Sequence, residues 1–242
     1  MGTRVVILGR GNVATSLCNG LQDTDAEVVQ MWHRGEAVCN DADIYIVCVK
    51  DDAVGDVGRL CPSCAFVVHT AGSIEMNVLE QEHRGVLYPM QSFTKGRQTE
   101  WGRVPFFLET HLQEDYERLL SFANLLSPTC YPLSSQRRKT LHMAAVWASN
   151  FANHLWTITS DILHRENIPF SVMLPLIDET VSKLSVMTPR EAQTGPARRG
   201  DMSVIKAHEE MLPDLLKEIY LLLSDSIYHD TLRPEKDTSH LF

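Results

Sequence analysis

The sequence predicts an α/β protein, a doubly wound parallel sheet followed by a smaller all-helical domain. Three observations carry that expectation. Short, nearly continuous apolar runs alternate with helical segments through the first half of the chain. A glycine-rich turn joins the first run to the first helix, and after about Leu125 strand-like runs give way to helical spacing.

Arg4-Val-Val-Ile-Leu8 reads as a strand covered on both faces. Ala14, Leu17, Cys18 and Leu21 then recur at helical steps and give the segment from Val13 to Leu21 one buried face. Glu27–Trp32, Asp43–Val49, Ala65–His69 and Gly85–Tyr88 read as further strands. Ser127–Gln136, with its prolines and hydroxyl residues, reads as a connector, which places a first domain at 1–126 and a second at 134–242. From Arg137 to His164 the positions Leu141, Ala144, Ala145, Ala148, Ala152, Leu155, Ile158 and Ile162 predict one long helix. Pro169–Met187 and Asp201–His229 predict further helices, separated by a loop at Thr188–Gly200, and Thr231–Phe242 reads as a loosely held tail.

The chain has 242 residues, 44% of them hydrophobic and 22% charged, which fits folded domains and excludes disordered and low-complexity classes. Its 22 Lys and Arg against 31 Asp and Glu give a net charge of −9, a field that repels nucleic acid and anionic lipid. The longest apolar run, Ile44–Val49, is strand-sized, so no membrane span is predicted. The amino terminus lacks the features of a secretory signal, and the six cysteines read as reduced thiols of a cytoplasmic protein. Cys61-Pro-Ser-Cys64 has redox spacing, but it precedes a strand rather than opening a helix. No second pair completes a zinc site, so the expectation is structural thiols and no metal.

Gly9-Arg-Gly11-Asn-Val-Ala14 is G-x-G-x-x-A, set between the first strand and the first helix. Gly9 permits the turn, Gly11 lets a pyrophosphate approach the backbone, and the helix start, with Arg10, Asn12 and Val13, receives the anion. This is the dinucleotide-binding fingerprint of a Rossmann domain. The second strand ends in Trp32-His33-Arg34-Gly35, where a carboxylate would select NAD. A guanidinium there suits the 2′-phosphate of NADP, with His33 beside it, and Glu36 is the alternative group for the ribose. Val49, His69 and Ser73, at later strand ends, complete the expected cofactor residues. For His69, Thr70 and Ser73 the other reading is ordinary strand-end capping.

The first 125 residues resemble the Rossmann domain of the 6-phosphogluconate dehydrogenase-like superfamily, near pyrroline-5-carboxylate reductase and ketopantoate reductase. The G-x-G-x-x-A turn, the cation after the second strand and Val47-Cys-Val-Lys-Asp-Asp-Ala-Val54 carry that likeness. The rest resembles the helical domain of a group of Rossmann-like oxidoreductases, through His69-Thr-Ala-Gly-Ser73, Tyr88–Phe93, His142–Asn150 and Thr194–Asp201. The resemblance implies NADP and an oxidoreductase activity without naming a substrate. In the better-known relatives a Lys is followed four residues later by Asn; here Lys139 is followed by Met143.

The polar set on the long helix is instead His142, Ser149, Asn150 and Asn153. At about 100° per residue these fall on one stripe, suited either to a helix–helix contact or dimer seam, or to a substrate site in an interdomain cleft. His142 is the candidate acid/base, because reducing a carbonyl requires a proton near neutral pH. Arg199, beside a helix capped by Asp201, is the candidate anchor for an anionic group, and His208 ranks below His142. The expectation is an NADP-dependent oxidoreductase acting on a small carbonyl or imine compound, forming a homodimer through its helices. The rival is a non-catalytic NADP-binding sensor or scaffold.

Overall fold

In a computed structural model, residues 2–232 are described, so most of the expected tail lies outside them. Seven strands form one sheet in the order β2-β1-β3-β4-β5-β6-β7. They are β1 (Arg4–Leu8), β2 (Glu27–Trp32), β3 (Ile44–Val47), β4 (Val67–His69), β5 (Arg84–Pro89), β6 (Phe106–Thr110) and β7 (Cys130–Pro132). All neighbours are parallel except β5 and β6, which pair with Val86 opposite Glu109 and Tyr88 opposite Phe107. The fold is the predicted α/β one.

Both faces of the sheet are covered, which is why its strands read as continuous apolar runs. Val5 and Ile7 point into one core with Phe66, Val68 and Leu87, roofed by α1 (Asn12–Leu21) and, after α2 (Val54–Gly58), by α3 (Glu114–Asn124). Val6 and Leu8 point into the opposite core with Tyr45, Val47 and Val67, which α2 covers through Val54 and Val57.

The predicted connector at Ser127–Gln136 contains β7, which adds to the sheet edge beyond β6. Pro132 can end this strand because an edge position needs no further N–H donor. The long helix is present but not uniform: α4 (Ser135–Ala145) passes into a π-helical segment at Val146–Phe151 before α5 (Ala152–Arg165). Wider i→i+5 turns shift the side-chain register, so the constant 100° step does not hold across the segment. Ser149, Asn150 and Asn153 face solvent rather than forming a stripe in a packed face.

Two compact units divide the chain, one up to Ile158 and one from Thr159 onward. In the second unit the helix expected at Pro169–Met187 is regular only over α6 (Leu174–Ser182), flanked by 3-10 turns. The expected loop at Thr188–Gly200 holds two short helices, α7 (Pro189–Ala192) and α8 (Pro196–Arg199). The expected helix at Asp201–His229 is two, α9 (Met202–Met211) and α10 (Asp214–Thr231), because Pro213 lacks the N–H needed to continue the ladder. Asp201 caps α9 as expected, accepting from Val204 N at 3.4 Å. No helix among the described residues is long and apolar enough to cross a membrane.

Candidate functional site

The chain order crosses over at β1, with β2 on one side and β3 on the other, and open α/β sheets bind ligands at the carboxyl ends of such strands. A cavity of about 560 Å³ lies there, and five of the expected cofactor residues line it: Gly9, Arg10, His33, Arg34 and Val49. Trp32, Lys50, Asp52 and Asp56 line it too and were not singled out from sequence, although the Val47–Val54 segment pointed to that loop.

The glycines divide the labour. Gly9 has φ +135°, and a Cβ there would stand 2.2 Å from the Cys48 carbonyl oxygen, so the turn itself requires glycine. Gly11 caps α1 in an ordinary extended conformation, and a Cβ added to it meets nothing within 4 Å. That open space, above the unpaired amides of a helix start at Asn12 and Val13, is the cradle a pyrophosphate needs. The Asn12 side chain is itself engaged, donating to Phe93 O at 3.0 Å.

The charges around the cavity are arranged unevenly. Glu36 is tied inward: its carboxylate lies 3.7 Å from Arg10 and 3.5 Å from His33 Nδ1, and it accepts from His33 N at 3.1 Å. Arg34 is exposed and makes no ion pair among the described residues. A free guanidinium in the cavity wall therefore stands where the carboxylate is already occupied.

His69 ends β4 fully buried. Its Nδ1 accepts from Ala71 N at 3.2 Å, and burial with the Arg138 charge lowers its pKa to about 3, so it is a neutral imidazole. Ser73 lies four residues on, and its hydroxyl donates to Asp51, between the cavity residues Lys50 and Asp52. Gly72 packs beneath His142, where a Cβ would stand 2.5 Å from the imidazole Nδ1. His142 Nδ1 in turn lies 3.1 Å from the Tyr88 hydroxyl. The contacts Asp51–Ser73, Gly72–His142 and His142–Tyr88 all fall within the first unit.

Tyr88 opens the Tyr88–Phe93 segment but was not singled out from sequence. Gln91 is exposed and accepts from Ser92 N at 2.8 Å. Lys139 is paired with Glu75. Arg199 is exposed in the second unit at the end of α8, and His208 bonds Tyr220 Oη there at 2.8 Å. Burial raises the Cys61 thiol to about 12, which leaves it without thiolate character for redox work. No cluster of three or more metal-ligating side chains occurs among the described residues.

A family described as a domain of unknown function, DUF2520, matches residues 104–227. A Bacteroides fragilis protein provisionally described as an NADP oxidoreductase is 39% identical, with 94% of this chain and 98% of that one covered and a TM-score of 0.87. The 1-pyrroline-5-carboxylate reductase of Streptococcus pyogenes is 14% identical over 95% of this chain and 98% of its own, with a TM-score of 0.59. A reductive aminase of Aspergillus terreus, in complex with NADPH and ethyl levulinate, is 11% identical over 100% and 91%, with a TM-score of 0.58. The last two share the fold, as the motifs implied. No curated protein matches the chain.

Proposed function

We propose, for a chain that belongs to the DUF2520 family, an NADP-dependent oxidoreductase that acts on a small carbonyl or imine compound. The observation that carries this reading is the cavity at the β1 crossover, with open space over Gly11 and an unpaired Arg34 in its wall. Residues 1–126 would hold the cofactor: Gly9, Arg10, Gly11, Asn12 and Val13 at the pyrophosphate, His33 and Arg34 at the 2′-phosphate, Val49, His69 and Ser73 toward the nicotinamide. A bound reduced nicotinamide supplies a hydride; the protein must supply position and a proton. His142 is assigned to that task, with Ser149, Asn150 and Asn153 of the same unit orienting substrate. The Bacteroides fragilis likeness supports the cofactor and reaction class.

The test is cofactor choice. NADPH should bind more tightly than NADH, and Arg34→Asp should weaken NADPH by roughly 10–100-fold, the value of a charge-assisted hydrogen bond lost and a repulsion gained. Fluorescence titration measures both, and equal affinity of the native protein for the two cofactors sinks the reading.

The helices are assigned to homodimer formation. Trp147 is 63% exposed beside an exposed Phe151 in the first unit, and Leu176, Val181, Val186, Met211 and Leu222 are exposed in the second. Monomers rarely leave so many large apolar side chains in water. Sedimentation should give twice the 27.3 kDa chain mass; a monomer at micromolar concentration rejects the assignment.

A further inference from the structure

Tyr88 and His142 meet across two elements that the sequence separates by 54 residues. The tyrosine stands on β5, one residue before the carboxyl end of the strand, and the histidine on the last full turn of α4. Tyr88 keeps 8% of its surface open and His142 is half-buried, so the pair lies at the edge of the core rather than sealed inside it. The tyrosine ring is clamped by Phe107, its centroid 6.3 Å away, and by the imidazole, which meets it edge-on at 6.0 Å. Gly72 closes the other side with bare backbone, because any side chain there would displace the imidazole. Gly72 is joined through Ser73 to Asp51 in the loop that lines the cofactor cavity. Two proton-carrying groups are thus held in contact, and Gly72 and Ser73 tie them to Asp51, the neighbour of the cavity residues Lys50 and Asp52.

We propose that the Tyr88 hydroxyl delivers the proton to the reduced substrate, with His142 as the positioning residue that holds and resupplies it. This rests on the reading of the site as a nicotinamide-dependent reductase, and it narrows the substrate to a neutral carbonyl, since a preformed iminium requires no proton. As the carbonyl carbon accepts the hydride of a reduced nicotinamide, the C=O π pair moves onto oxygen. That oxygen forms its O–H bond with the Tyr88 proton. The phenolate oxygen takes the Nδ1 proton of His142, and the ring regains one proton from solvent. With Nδ1–H donated to Tyr88 Oη, the tyrosine proton is turned away from the histidine and free for substrate. Burial raises the Tyr88 pKa and keeps the hydroxyl protonated at rest, while the buried Arg138 charge pulls in the opposite direction and eases a transient phenolate.

The decisive variant is Tyr88→Phe, which keeps the ring contacts and removes only the oxygen. Turnover of NADPH with 2-keto acids and short aldehydes should fall roughly 10²–10⁴-fold in kcat, with KM and NADPH affinity near native. His142→Ala should lose kcat as well, and added imidazole should restore part of it. A readout independent of turnover is the 15N spectrum of histidine-labelled protein: Tyr88→Phe should shift the Nδ1 resonance that disappears in His142→Ala. Native kcat in Tyr88→Phe, an unmoved Nδ1 resonance, or a native protein that binds NADPH and reduces none of these carbonyls overturns the proposal. Failure to bind NADPH at all sinks the underlying cofactor reading instead.

Discussion

Replacing Gly11 by valine is expected to abolish NADPH binding while the protein stays folded. The backbone at Gly11, φ −73° and ψ −176°, is extended and open to any L residue. A Cβ there meets no protein atom within 4 Å, so in the empty protein the substitution should change stability by no more than about 0.5 kcal/mol. The same open space is what a pyrophosphate occupies when it approaches the amides of Asn12 and Val13, and a branched side chain fills it. Affinity should drop by more than about 100-fold, equivalent to about 2.7 kcal/mol. Gly9 gives the opposite behaviour: at φ +135° and 2.2 Å from the Cys48 oxygen, a side chain there disrupts the turn itself. Fluorescence titration alongside thermal melting of Gly11→Val separates the two effects. A folded variant with native NADPH affinity removes the phosphate cradle from this loop.

The contrast between these glycines shows how much of the site could be read from sequence. A G-x-G-x-x-A turn, a strand before it and a helix after it are local, so their spacing located Gly9 and Arg10; His33 and Arg34 came from the end of the second strand and Val49 from the strand end within the Val47–Val54 segment, and all five line one cavity. The strands of the two-sided sheet were legible for the same reason, since Val5 and Val6 face different cores and both must be apolar. The edge was not: β7 spans Cys130–Pro132 and is half in water, so its residues look like a connector. The π segment carries no composition signal, and without it the wheel angles of His142, Ser149 and Asn153 coincide. Tyr88 and His142 meet only through tertiary packing. Nothing in the spacing of residues 54 apart announces a contact, although both stood inside motifs already singled out.

What brings His142 to Tyr88 is the seating of α4, and Arg138→Met is expected to remove it at a cost of about 3–5 kcal/mol. Arg138 is 0% exposed, one turn before His142 on the same helix. Its guanidinium lies 2.6 Å from Glu109 Oε2 on β6, 3.1 Å from Ser135 Oγ, and donates to the Ile74 carbonyl. Ser135 donates to the same Glu109 oxygen at 2.6 Å and accepts from Met76 N at 3.0 Å. The cluster therefore pins the first turn of α4 to β6 and to the loop after Gly72. Methionine fills most of the volume but leaves the Glu109 carboxylate, 17% exposed, without its cation. For a chain of this size the melting temperature should fall by roughly 6–20 °C. Lys139→Met is the control one residue along, because its pair with Glu75 is about half exposed on both sides and should contribute under about 1 kcal/mol. Adding Glu109→Gln to Arg138→Met should recover part of the loss, since the orphaned charge is then gone. Melts in which Arg138→Met and Lys139→Met are indistinguishable, or in which Glu109→Gln deepens the loss, rule out the buried pair as the anchor of α4.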